Sequence, residues 1–293
     1  MTSLIDFLHI HPGVFYTFSA LLGLALGSFI NVVAHRLPVM MEREWREQCR
    51  ELLHPDTPAT DEPPRFNLST PRSRCPKCGH RIGALENIPL LSYLFLRGRC
   101  SACGEPISIR YPLVELTCGI LSFVVAWHFG VTWQAVAALG LTWVLITLTL
   151  IDFDHQLLPD QIVLPTLWVG LLLSLVPLYA DTTDAVVGAT AGYLSLWTLF
   201  QLFRLLTGKE GMGYGDFKLF ALFGAWLGWQ SLFQIILLSS LVGALVGICL
   251  ILFRGRDRTI PIPFGPYLAV AGWISLLWGE QLNRLYLTWA GLA

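Results

Sequence analysis

Long apolar runs separated by polar intervals dominate the chain. Runs near twenty residues fall at about 14–34, 113–130, 132–151, 161–180, 184–206, 217–229, 231–253 and 266–287. A helix of roughly twenty apolar residues crosses the hydrocarbon core of a bilayer. The sixth and seventh runs form one apolar stretch, 217–253, long enough to cross twice if it turns near Gly228-Trp229-Gln230. The sixth is then short, which predicts a helix buried among its neighbours or a broken one. The pattern predicts an all-α polytopic membrane protein with about eight transmembrane helices.

The polar interval at 35–112 has its own organisation. Glu42–Glu51 alternates charge sign at helical spacing and predicts a surface helix. His54–Pro64 is polar and rich in proline, the composition of a flexible linker. Two cysteine pairs follow. The chain therefore divides into 1–34 (an outer N-terminus and the first transmembrane helix), 35–112 (a cytoplasmic loop) and 113–293 (a seven-helix transmembrane region).

Composition supports a membrane setting. Of 293 residues, 54% are hydrophobic and 13% are Asp, Glu, Lys or Arg, against about 25% charged in soluble domains. A net charge of −1 excludes nucleic acid as a partner. The N-terminus lacks Lys and Arg, so no removable signal peptide is expected. Charge also orients the spans. Twelve of the nineteen basic residues lie in 35–112, and Arg204, Lys209, Lys218, Arg254, Arg256 and Arg258 fall on the same side of an eight-span arrangement. The positive-inside rule makes that side cytoplasmic and leaves both termini outside.

Cys75-Pro-Lys-Cys78-Gly79 and Cys100-Ser-Ala-Cys103-Gly104 are two C-x-x-C-G knuckles. Four thiolates close a tetrahedral zinc site with no open position, so the expectation is a structural zinc in a small zinc-ribbon-like domain. The glycine after each second cysteine tolerates the positive φ of such a turn. Cys49, Cys118 and Cys249 stand alone and are expected to behave as small apolar residues.

Charged groups beside membrane spans need an explanation. Ile151–Asp160 joins the third and fourth spans with three acids and no base, on the otherwise basic face. Gly211-Met-Gly-Tyr-Gly-Asp216 precedes the sixth span. Asp152 and Asp216 thus lie at cytoplasmic helix ends on different helices. Two such carboxylates can divide the labour of hydrolysis, one taking a proton from water and the other protonating the leaving amine. On this chemistry alone Asp154 and Asp160 are equally eligible, and all of these acids could be solvated loop residues. The GMGYG run misses the G-x-G-x-x-G pattern, so a dinucleotide fold is rejected. A transporter is disfavoured too, since its acids usually lie near the midplane of repeated halves. A zinc-bearing assembly factor is a further alternative.

The ordered set of motifs resembles the bacterial type IV prepilin peptidases, a membrane aspartic peptidase family. Gly27-Ser-Phe-Ile-Asn31-Val with Arg36-Leu-Pro38 comes first, then the cysteine pairs with Glu86-Asn-Ile-Pro89 between them. Arg110-Tyr-Pro-Leu-Val-Glu115, Ile151-Asp152, Leu158-Pro-Asp160 and Gly213-Tyr-Gly-Asp216 follow. The resemblance implies that Asp152 and Asp216 are the catalytic pair. It implies cleavage of prepilin and type II secretion pseudopilin leaders after Gly, then N-methylation of the new N-terminal residue, usually Phe, with S-adenosylmethionine. It further implies the bacterial inner membrane as location, with the active site at the cytoplasmic face. No S-adenosylmethionine site can be placed.

Other residues have plainer expected roles. Glu115, close to Arg110, is read as a structural partner rather than part of a methyl-transfer site. His155 is read as an interface residue, Lys218 as a marker of the membrane boundary, and Asp181 and Asp184 as solvated. Gly243-x-x-x-Gly247 predicts close helix contact within the protein or in a homodimer.

Overall fold

The computed structural model describes residues 4–53, 66–254 and 263–289. The linker expected at 54–64 lies outside them, as do Arg256 and Arg258. Helices dominate the described residues, and the chain separates into two compact units, Met1–Val131 and Thr132–Ala293.

The first unit holds α1 (Leu4–Ile10), α2 (Pro12–Leu53), a 3-10 turn (Leu85–Asn87), α3 (Leu91–Phe95) and α4 (Arg110–Phe129). The first apolar run does not stop at residue 34. It continues without a break through the charged segment to Leu53, making a rod of 42 residues, about 63 Å long. Pro38 lies inside this helix. The adjacent turn is braced by Arg36, whose guanidinium donates to the carbonyls of Asn67 (3.0 Å), Leu68 (3.3 Å) and Pro71 (2.6 Å). Pairs Glu42–Arg46 and Glu47–Arg50 line the distal turns. The α2–α4 crossing is close because small residues meet there. A Cβ added to Gly27 would come within 2.7 Å of the Glu115 Cα, and one on Gly23 within 2.4 Å of the Ser122 Oγ. Asn31 then ties the crossing by donating to the carbonyls of Gly27 and Tyr111.

The second unit comprises α5 (Trp133–His155), α6 (Asp160–Leu173), α7 (Thr182–Thr207), α8 (Tyr214–Leu227), α9 (Gln230–Arg254) and α10 (Gly265–Trp289). The short helix expected before residue 229 is α8, only 14 residues long. It is the core of the unit: apart from Lys218, every residue from Asp216 to Trp226 is buried. Helices α6, α7, α9 and α10 surround it. At its crossing with α7 the backbones touch, since a Cβ on Gly224 would fall 2.1 Å from the Gly188 carbonyl oxygen. Trp226 donates from Nε1 to the Thr166 carbonyl of α6 at 2.8 Å.

Two expectations need correction here. The fourth run was expected to be helical to residue 180, yet α6 ends at Leu173. The following turn is fixed by Thr182, which donates to the Ser174 carbonyl at 2.9 Å. Within the protein Gly243 is not a point of close approach: a Cβ there would meet Tyr267 at 3.4 Å, ordinary contact. Closer approaches sit at Gly224/Gly188 and Gly272/Phe223 (2.1 Å each), Gly170/Trp226 (2.3 Å) and Gly23/Ser122 (2.4 Å).

By length and composition, five helices among the described residues can cross a membrane: α2, α4, α5, α7 and Gln230–Cys249 of α9. The protein is a multi-pass membrane protein.

Candidate active site and candidate metal centre

Asp152 is on the last turn of α5, which Gln156 ends in a left-handed conformation while its N–H donates to the Asp152 carbonyl at 2.9 Å. Asp216 is on the first turn of α8, directly after the glycine-rich loop. Both are buried, at 5% and 7% exposure. The Leu158 side chain fits between two glycines beside them: a Cβ on Gly215 would lie 2.7 Å from its Cβ, and one on Gly265 would lie 3.3 Å from its Cδ1. The N-terminus of α10 forms a further wall. A Cβ on Gly265 would fall 2.5 Å from the Asp152 Oδ2, an atom buried without a hydrogen-bond partner among the described residues. Gly265 was missed by sequence reasoning. It lies more than a hundred residues from Asp152 and has no side chain to advertise a role; the Pro263-Phe-Gly265-Pro266 run before an apolar helix was the only signal.

The rival acids are differently placed. Both carboxylate oxygens of Asp160 accept from the Lys218 Nζ at 2.7 Å, which ties the start of α6 to α8. Lys218 is therefore an ion-pair partner, not simply a boundary marker. Asp154 and His155 are exposed. Asp184 is not merely solvated: it accepts from Trp229 Nε1 at 3.2 Å and Gln230 Nε2 at 2.7 Å, pinning the α8–α9 turn to α7. Asp181 is exposed at the start of α7.

An apolar cleft lies elsewhere in this unit. It encloses about 680 Å³ between α5 and α6, with walls that include Trp133, Val144, Pro165 and Trp226. No titratable side chain lines it.

In the first unit the cysteine knuckles repeat one geometry. Cys75 N–H donates to the His80 carbonyl and Cys100 N–H to the Glu105 carbonyl, while Gly79 and Gly104 N–H return to the carbonyls of Cys75 and Cys100. Gly79 and Gly104 adopt φ of 72° and 73°. All four sulfurs lie within 4.8 Å of one another, with Cys75–Cys103 at 3.8 Å and Cys78–Cys100 at 4.0 Å. Sulfurs bound tetrahedrally at the usual zinc–thiolate length lie about 3.8 Å apart, so the cluster fits that ion. Glu86 ties the knuckles together. It accepts from Ser101 Oγ and from Gly83 N–H (2.8 Å), and its Oε2 lies 3.2 Å from His80 Nε2. The Ser101 and Gly83 donors, with His80, hold its carboxyl down at about 2. Lys77 and Glu105 add a pair across the knuckles.

Glu115 is buried and accepts from the Leu90 N–H at 2.9 Å. Leu90 has a φ of 58°, a strained value for leucine, and the Glu115 carboxylate braces this turn. Of the lone cysteines, Cys118 is buried, whereas Cys49 and Cys249 are exposed.

Two family models match the chain: the bacterial peptidase A24 N-terminal domain over residues 21–129, and the type IV leader peptidase family over residues 139–248. A prepilin leader peptidase/N-methyltransferase of Aeromonas hydrophila is 58% identical over 288 residues, covering 98% of this chain and 99% of that one. The chain belongs to the type IV leader peptidase family. A second relative of the same description, from Pseudomonas aeruginosa, is 58% identical over 290 residues at the same coverage. One from Legionella pneumophila is 46% identical over 277 residues, 94% of this chain and 96% of that one. No solved structure matches. The family's two models fall on either side of the boundary between the two units, so the cysteine cluster lies in one match and both aspartates in the other.

Proposed function

We propose that this chain is a bifunctional prepilin leader peptidase and N-methyltransferase that uses Asp152 and Asp216 as its hydrolytic pair. One observation carries the assignment of the pair: among the acids at this end of the second unit, these two are buried, with Leu158 packed against the glycine beside each, while Asp160 is neutralised by Lys218 and Asp154 faces outward. One carboxylate removes a proton from water as it attacks the scissile carbonyl, and the other delivers a proton to the departing amine, with no covalent intermediate. Gly215 and Gly265 leave room for Leu158 and for the carboxylates, and the buried setting strengthens their action on a bound peptide.

In this reading the substrates are prepilins and pseudopilins, cut after Gly where their apolar helix enters the membrane. The new N-terminal residue, usually Phe, then receives a methyl group from S-adenosylmethionine. The enzyme resides in the bacterial inner membrane with about eight spans, α2 and α4–α10. Both termini face the periplasm and the aspartates face the cytoplasm. Residues 1–34 form the first span with its outer end, 35–112 a cytoplasmic zinc-ribbon-like domain, and 113–293 the catalytic region. Cys75, Cys78, Cys100 and Cys103 would hold one zinc ion, which cross-links the two knuckles when bound.

The test is cleavage of a Gly–Phe leader peptide by the purified enzyme in vesicles, read by mass spectrometry with and without S-adenosylmethionine. Asp152→Asn and Asp216→Asn should each reduce cutting by at least ~10²–10⁴-fold and still methylate a pre-cut peptide. Normal cutting by either variant would refute the pair.

A further inference from the structure

The cysteine domain carries an apolar patch that its own packing leaves open. Leu85 is 81% exposed, and Leu91, Leu94 and Phe95 line up at helical spacing along α3, with Leu94 at 69% and Phe95 at 83%. Ile109 and Tyr111, at the start of α4, are exposed as well. Arg97 and Arg99 follow α3 directly and are exposed. Such a concentration of bare apolar side chains on a small domain marks a contact surface.

A hydrogen bond fixes the depth of this surface. Leu90, the residue before α3, donates its N–H to Glu115 of α4 at 2.9 Å. Helix α4 has 20 residues, about 30 Å, which is just the thickness of a bilayer's hydrocarbon core. Glu115 is the sixth residue of that helix, so Leu90 is held about 7–8 Å along it. Amphipathic elements that rest in a membrane interface bury their apolar side about 5–10 Å into the headgroup and acyl boundary. The depth set by the Glu115 bond and the exposed face of α3 therefore agree.

We infer that α3 and its flanks form an interfacial anchor, with Leu91, Leu94 and Phe95 inserted into the leaflet beside the N-terminus of α4 and Arg97 and Arg99 at the phosphate level. The partner is the lipid surface, anionic lipid included. The inference rests on α4 as a membrane span and on the Leu90–Glu115 bond, not on the peptidase assignment.

The test uses the full-length protein in phosphatidylethanolamine/phosphatidylglycerol vesicles, with a photoreactive diazirine residue replacing either Phe95 or Leu52. Leu52 is an equally exposed apolar side chain at the far end of α2, 83% accessible. Irradiation should join position 95 to phospholipid several-fold more often than position 52. Equal lipid yields, or adducts at 95 only with a second copy or with added leader peptide, would overturn the anchor. A second arm replaces Leu94 and Phe95 with Ser, which leaves all four cysteines in place. Trypsin cleavage after Arg97 and Arg99 in vesicles should then quicken several-fold, with zinc content unchanged. No change in that rate would also overturn it.

Discussion

The cysteine region and the aspartate site gather their functional groups by opposite means. The four cysteines come from a window of 29 residues and are positioned by short-range geometry: two identical turns, a cross-strap through Glu86, and little surrounding core. Three of them are at least partly exposed. The aspartates sit at the ends of two helices, 64 positions apart, and α10 closes on them from further along the chain. They are buried in a helical unit whose α7 and α8 touch backbone to backbone. A metal can organise a small polar domain that has almost no core, whereas a carboxylate pair in a membrane depends on the whole bundle around it. Damage to the first should stay local, and damage to the second should come from substitutions that never touch an ionisable group.

The largest effect on the cysteine side should follow Cys75→Ser with Cys100→Ser. Structural zinc sites contribute roughly 10 kcal/mol or more to small domains, so bound metal should fall to zero in elemental analysis and methylation or protein yield should drop. Retained zinc would break the four-ligand reading. On the aspartate side the sharpest probe is Gly265→Ala. Its Cβ would collide with the Asp152 carboxylate, and displacing a reacting group by about 1 Å costs on the order of 10²-fold. Cleavage should fall by about that factor with kcat more affected than KM, while Gly243→Ala, in open contact, leaves it unchanged. Equal activity of the two variants would remove Gly265 from the site.

Smaller effects should separate the regions further. Gly224→Ala forces α7 and α8 apart and should destabilise the second unit by about 1–3 kcal/mol, lowering the temperature of thermal inactivation while metal content is retained. Glu86 supplies a pH signature for the first unit. Its carboxyl is lowered from 4.5 to about 2, so its contribution to stability is complete above about 4.5 and is lost as pH falls through 2. The stability difference between wild type and Glu86→Gln should therefore shrink over that window, as followed by acid-induced unfolding of the cysteine domain. A difference that stays constant to pH 2 would mean the straps from Ser101 and Gly83 do not favour the charged form.

The sequence reveals what short-range rules control. Apolar runs near bilayer length became helices, and the knuckle glycines took the positive φ their positions demand. The paired charges at 42–51 are helical, but the continuity of the helix through Arg36 and Pro38 rests on the 67–71 loop that Arg36 grips, which is visible only in three dimensions. The role of Asp160 was equally hidden, since pairing with Lys218 joins residues 58 positions apart. Gly265 is the extreme case. Its contribution is an absence of atoms beside Asp152, and an absence has no composition or periodicity to read.

The unbroken course of α2 has one more consequence. A single rod that runs from the apolar turns past Arg36 to Leu53 preserves a rotational phase as well as a length. Inserting one residue after Val33 would turn everything beyond it by about 100°, swinging the Arg36 guanidinium away from the carbonyls it grips, although it shifts the rod by only about 1.5 Å. Inserting seven would translate it by about 10 Å yet restore the bearing to within about 20°. Length and phase can thus be varied separately in this helix, which separates the reach of the Arg36 brace from its direction.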